Sequence, residues 1–118
     1  MQYERRKYPR VKCMLTSKFR DPEEDSSATL SSPAVVEDIS KSGVRLKVRR
    51  FLPLTHLLYL KISLSQDTSL QVQLKPAWIS ELPKTGEFQM GAEFVNIREV
   101  DKKAIQDFIY QILIEENE

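Results

Sequence analysis

The chain has 118 residues, which suits one domain, and its 41% hydrophobic and 30% charged residues are ordinary for a globular protein. A net charge of +1 excludes a global field that would gather long nucleic acid. The lone Cys13 excludes an internal disulfide, the lone Cys13 and His56 leave no Cys/His zinc set, and no apolar run is long enough to span a membrane.

Arg5, Arg6, Lys7, Arg10 and Lys12 crowd the N-terminus. No apolar region follows these charges as in a secretory leader, so the cytoplasm is the expected location. Pro9 blocks regular helix and pushes Tyr8 toward extended geometry. Residues 1–12 therefore read as a basic arm, and residues 13–118 as the folded unit. Its first strand is expected at about Cys13 to Phe19. The loop at 21–34 is acidic and Ser-rich, without apolar periodicity, and reads as mobile.

Ala34 to Ser40 reads as a strand, followed by a turn at Ser40-Lys41-Ser42-Gly43, with Gly43 free to take a positive φ. Val44, Leu46 and Val48 alternate with Arg45, Lys47 and Arg49 in a half-buried strand. Alternation returns at Leu58, Leu60, Ile62 and Leu64, and at Leu70, Val72 and Leu74 before Pro76 interrupts it. Phe88, Met90, Ala92 and Phe94 form a further strand, with Gly91 facing the other way. Trp78, Tyr59 and Phe94 read as core residues. The period then changes to helical at Ala104, Ile105, Phe108, Ile109, Ile112 and Leu113, which predicts a helix over about 101–115. Asp101 serves its first turn, while Glu115 and Glu116 oppose the dipole and should fray its end. About six short strands with turn signals predict a mostly β protein, a small antiparallel β-barrel covered at an open end or edge by a C-terminal α-helix.

Two strings carry chemistry. Arg6 and Arg10 form R-x-x-x-R, a spacing that faces one side in a helix or a strand. Two guanidiniums so placed grip phosphate oxygens in bidentate fashion or stack on a base. The same spacing recurs at Arg45 and Arg49, so alone it is a weak signal. Asp38-Ile39-Ser40-Lys41-Ser42-Gly43 is a D-x-S-x-x-G string at a strand end. A carboxylate accepts the paired N–H donors of a guanine edge, Ser40 offers a hydroxyl on the same face, and Gly43 permits close backbone approach. The plainer alternatives are a solvated basic tail and a Ser-stabilised hairpin that binds nothing.

In order and spacing, Arg6, Arg10, Asp38, Ser40 and Gly43 resemble the PilZ domain family of bacterial receptors for cyclic di-GMP. Met90-Gly91-Ala92-Glu93-Phe94 is similar to the family's late G-x-x-F strand. The resemblance covers essentially the whole chain and implies a stand-alone, six-stranded split barrel with a C-terminal helix. It further implies that cyclic di-GMP lies on the outer barrel surface, with Arg6 and Arg10 on its phosphates and guanine Hoogsteen edges. Asp38 and Ser40 would read a base edge, Gly43 would shape the turn, and the basic Arg5 would favour a stacked ligand pair.

The expected function is a receptor that signals when its N-terminal arm orders over the ligand and changes the contacts offered to a downstream protein. The expected protein is a monomer or weak dimer, with no catalytic set, cofactor or metal. The alternative is an adaptor of the same fold that works by protein contacts and binds no nucleotide. A barrel for single-stranded nucleic acid is disfavoured, because the strands lack aromatics interleaved with basic residues.

Overall fold

The structure, a computed structural model, describes residues 9–24 and 31–116. Six strands follow in order: β1 (Arg10–Arg20), β2 (Ser32–Ser40), β3 (Gly43–Val48), β4 (Leu58–Ser63), β5 (Ser69–Glu81) and β6 (Phe88–Val95). Helix α1 (Glu99–Glu116) closes the chain. All pairings are antiparallel, and the order β1-β2-β3-β6-β5-β4 closes on itself where Ser17–Arg20 pairs with Tyr59–Ile62. Closure leaves no free sheet edge for a helix to cover. Instead, α1 packs Ile105 and Ile109 into the core beside β1 and β2. Among the described residues, no helix is long and apolar enough to cross a membrane.

Alternation explains most of the core. Val44, Leu46 and Val48 point inward on β3, as do Leu58, Leu60 and Ile62 on β4 and Leu70, Val72 and Leu74 on β5. Several expectations are corrected. The first strand begins at Arg10 rather than Cys13, so Arg10 belongs to the sheet, opposite Ser40. The helix starts two residues before Asp101, at Glu99, and continues to Glu116. Asp101 sits in the first turn, where its buried carboxylate accepts from Arg98 Nε at 3.0 Å. Pro76 does not end its strand. β5 runs through it, because pairing with β4 stops at Leu74 and Pro76 adjoins a bulge where its missing N–H costs no ladder bond.

Trp78 and Tyr59 are not core residues. Both lie on the outer surface, each about 40% exposed. For Trp78 the cause is that same bulge between Pro76 and Trp78. Inward parity runs Leu70, Val72, Leu74, Pro76, and one extra residue, Ala77, turns Trp78 outward and Ile79 back toward the core.

Candidate ligand-binding site

A second bulge lies on β2. Val36 and Ile39 are both fully buried although three residues apart, because Glu37 and Asp38 together oppose Arg45 of β3. Two residues facing one is the mark of a β-bulge, and it aims both carboxylates at one guanidinium. Arg45 Nε stands 3.1 Å from Asp38 Oδ2 and 4.0 Å from Glu37 Oε1. Gln89 holds Glu37 from the other side by donating to Oε1 at 3.2 Å. A third shift lies between Lys12 and Leu15 on β1.

The three irregularities adjoin one row across five strands. Lys12 faces Asp38, Asp38 faces Arg45, Arg45 faces Gly91, and Gly91 faces Trp78. A Cβ placed on Gly91 would fall on the Trp78 indole, so the ring lies over the glycine backbone. The row thus presents a cation, a carboxylate, a guanidinium and an aromatic plane laid over a glycine backbone, in that order.

Arg10 joins the row from above, with Nη1 3.7 Å from Asp38 Oδ1. Asp38 is buried, its side chain only 11% exposed, yet Oδ1 has no hydrogen-bond partner among the described residues. Two guanidiniums therefore neutralise the carboxylate while leaving acceptor capacity for a donor.

Ser40 is 2% exposed, and its hydroxyl is committed to the turn. Oγ accepts the N–H of Ser42 at 3.2 Å and of Gly43 at 3.3 Å, and it lies 3.2 Å from Ser42 Oγ. The Ser42 carbonyl then accepts the Phe94 N–H at 2.9 Å, which ties the hairpin to β6. Gly43 does not adopt a positive φ; a Cβ there would collide with the Ala92 carbonyl oxygen, so its absence lets β3 lie against β6. The structure thus brings Arg10, Asp38, Ser40 and Gly43 together, while Arg5 and Arg6 lie outside the described residues. Sequence reasoning missed Arg45, Glu37 and Trp78. The two matches to R-x-x-x-R were a signal for Arg45, whereas nothing in simple alternation shows a bulge.

Cys13 lies behind the row with its thiol 3.5 Å from the Val36 carbonyl. Burial first, and the Asp38 charge second, push that thiol up to about 11, so it stays protonated and unreactive at neutral pH.

Elsewhere, Asp21 is fully buried and bonds His56 Nδ1 at 2.8 Å through Oδ2, with Glu23 Oε2 3.7 Å from Nε2. This cluster fastens the end of β1 to the β3–β4 connection.

The sequence profile of the PilZ domain family matches residues 4–111. No curated protein sequence matches significantly. Among solved structures, the Bacillus subtilis inhibitor of motility (MotI/DgrA) is 23% identical with a TM-score of 0.73, covering 94% of this chain and 53% of its own. Escherichia coli YcgR in complex with c-di-GMP is 14% identical with a TM-score of 0.76, covering 97% of this chain and 48% of its own. The K. pneumonia MrkH–c-di-GMP complex is 17% identical with a TM-score of 0.79, covering 98% and 55%. The chain spans about half the length of these three proteins. At such identities the likeness establishes a common fold. The family match, a closed six-stranded antiparallel barrel and a C-terminal helix agree, and the chain belongs to the PilZ domain family.

Proposed function

We propose that this chain is a receptor module for cyclic di-GMP, without chemistry of its own, which binds the dinucleotide along the outer row from Lys12 to Trp78. The observation that carries the reading is Asp38: a bulge turns it outward, two guanidiniums flank it, and one of its buried oxygens has no hydrogen-bond partner among the described residues. An acceptor pair in that state suits the adjacent N–H donors of a guanine edge. Arg10 then exchanges its long contact with Asp38 for a phosphate or for guanine O6 and N7. Trp78, whose indole lies over the Gly91 backbone, offers a plane for stacking. Arg45 keeps Asp38 aimed, while Ser40 and Gly43 hold the hairpin in shape.

Magnitudes argue that the leader takes part. A micromolar site requires about 8 kcal/mol net. Each charge-assisted hydrogen bond contributes about 1.5–3 kcal/mol, against an association cost of about 4–15 kcal/mol. Asp38 and Arg10 alone fall short, and Arg5 and Arg6 are the nearest further guanidiniums in the sequence. Ordering of residues 1–8 over the ligand follows, and with it a changed surface for a downstream protein. The support from relatives is that the YcgR and MrkH structures of this fold hold c-di-GMP.

Titration calorimetry tests the reading. Binding in the micromolar range or tighter is expected. Arg10→Ala and Asp38→Ala should each weaken it about ten- to a hundredfold, as the loss of one or two charge-assisted bonds requires. Lys61→Ala, on β4 outside the row, should leave it unchanged. Absence of heat from the unsubstituted protein sinks the receptor reading and leaves the nucleotide-free adaptor.

A further inference from the structure

The geometry points to the outward face of β1 and β4, centred on Lys18 and Lys61, as a docking surface for an acidic, extended segment of another protein. This surface lies apart from the ligand row and stands whether or not the receptor reading holds. The chain balances 18 Lys and Arg against 17 Asp and Glu, so a patch of one sign has to be set apart by the fold. Outward positions alternate along a strand. On β1 they hold Arg10, Lys12, Lys18 and Arg20, and on β4 Lys61, with no outward carboxylate on either strand. The adjoining Gln71 and Gln73 of β5 are uncharged. The acids that follow β1 are used elsewhere: Asp21 and Glu23 adjoin His56, and Glu24 pairs with Arg50.

The register makes this arrangement costly. Lys18 faces Lys61 directly across the seam where the barrel closes, and Arg20 faces Tyr59. Opposed side chains in an antiparallel pair have Cβ atoms about 4.5–5.5 Å apart, and like charges so placed destabilise a sheet. Both lysines are exposed, and neither has an ion-pair partner among the described residues. A carboxylate lying between the two ammonium groups removes the repulsion, and nothing on the face supplies one. The neighbouring pair is held in place. The Arg20 guanidinium lies 4.9 Å over the Tyr59 ring, and Gln73 donates to the Tyr59 hydroxyl at 3.1 Å.

Spacing and chemistry define the occupant. Lys18 and Arg20 stand two positions apart, about 7 Å along β1. Acidic side chains at alternate positions of an extended segment have the same repeat, so one carboxylate meets the Lys18–Lys61 pair and the next meets Arg20. Met14, 70% exposed on the same face, gives such a segment an apolar contact, and Met, Tyr and Arg are residues that protein interfaces favour. A nucleic-acid strand needs open aromatic planes for its bases, whereas Tyr59 is covered by Arg20. A membrane surface needs apolar side chains to insert, and this face offers little beyond Met14. The ligand row begins at Lys12, about 20 Å from Lys18 along the strand. That is more than two screening lengths of about 8 Å, so the two sites fill independently.

Titration of the isotope-labelled full chain with hexaglutamate, followed by two-dimensional NMR, tests the surface. Amide shifts should centre on Lys18, Lys61 and their strand neighbours and fade as salt is raised. Lys61→Glu should weaken the peptide about tenfold or more and yet raise Tm by about 1–5 °C, because the opposed side chains then attract. Lys18→Gln should act in the same direction on both. Lys84→Glu, the same change of charge in the β5–β6 turn, should leave both nearly unmoved. Equal loss of binding in Lys61→Glu and Lys84→Glu reduces the effect to net charge and overturns the surface. So does hexaglutamate that binds nowhere, or that cyclic di-GMP displaces, since it then sits on the row. Tighter binding of oligothymidylate of matched charge, or of phosphatidylglycerol vesicles, to the same residues overturns the acidic protein as occupant. Absence of binding heat with cyclic di-GMP overturns the receptor reading instead, and the docking surface is still decided by the hexaglutamate titration.

Discussion

Gly43 and Gly86 show that one residue type answers two different constraints. At Gly86 the backbone takes φ +71° in the β5–β6 turn, and a Cβ would meet nothing within 4 Å. At Gly43 the backbone is ordinary, but a Cβ would strike the Ala92 carbonyl. Gly43→Ala should therefore cost about 1–3 kcal/mol, as overpacking between two fixed backbones does, and should loosen β3 from β6. Gly86→Ala should cost about 1 kcal/mol through left-handed strain alone. Urea midpoints measure both, and only Gly43→Ala should also weaken ligand binding, since Arg45 and Gly91 face each other across the same two strands. The glycine of D-x-S-x-x-G was legible as part of the site, but its reason was not. The turn can be read along the chain, whereas the neighbour 49 positions away can be read only from the sheet. Ser40 makes the same point: its hydroxyl looked available for a ligand and is spent on the N–H groups of Ser42 and Gly43.

At the level of elements, alternation located β3 to β6, and its failures mark the site. Strict parity places Trp78 beside Leu74 in the core and gives no reason for Glu37 and Asp38 to share one partner. The bulges reverse the first expectation and produce the second arrangement. A separate element contact has a measurable pH signature. The hydrogen bond that His56 Nδ1 donates to Asp21 raises His56 above its ordinary value of 6.5; burial opposes the rise, and the charges of Asp21, Glu23 and Glu24 add to it. Arg50, whose Nη1 lies 3.3 Å from Glu24 Oε2, is the cation facing the cluster from the β3–β4 connection. A raised folded-state pKa means that the clasp stabilises fully below about pH 6.5 and that this gain is lost as pH rises through the higher folded value. His56→Gln should lower Tm most near pH 6, and the gap to the unsubstituted protein should narrow toward pH 8–9. A gap that is constant across that range, measured by thermal scans at matched ionic strength, would remove the protonated clasp from the account.

For the whole molecule, strand number and the closing helix were legible from short alternating runs and one change of period. A barrel was expected too, but not its seam, since pairing of β1 with β4 joins segments about 40 residues apart that carry no mark of each other. Closure fixes the curvature that lays five strands side by side under one outer row. The bulge on β5 leaves the chain's single tryptophan lying on that row and not in the interior. The protein thus carries its own optical gauge. Indole emission should change in step with occupancy, and a soluble quencher such as iodide should lose access to the ring once a base covers it. Ligand affinity can then be read on unlabelled protein, and a quencher response indifferent to saturating cyclic di-GMP would place the bound base elsewhere on the barrel.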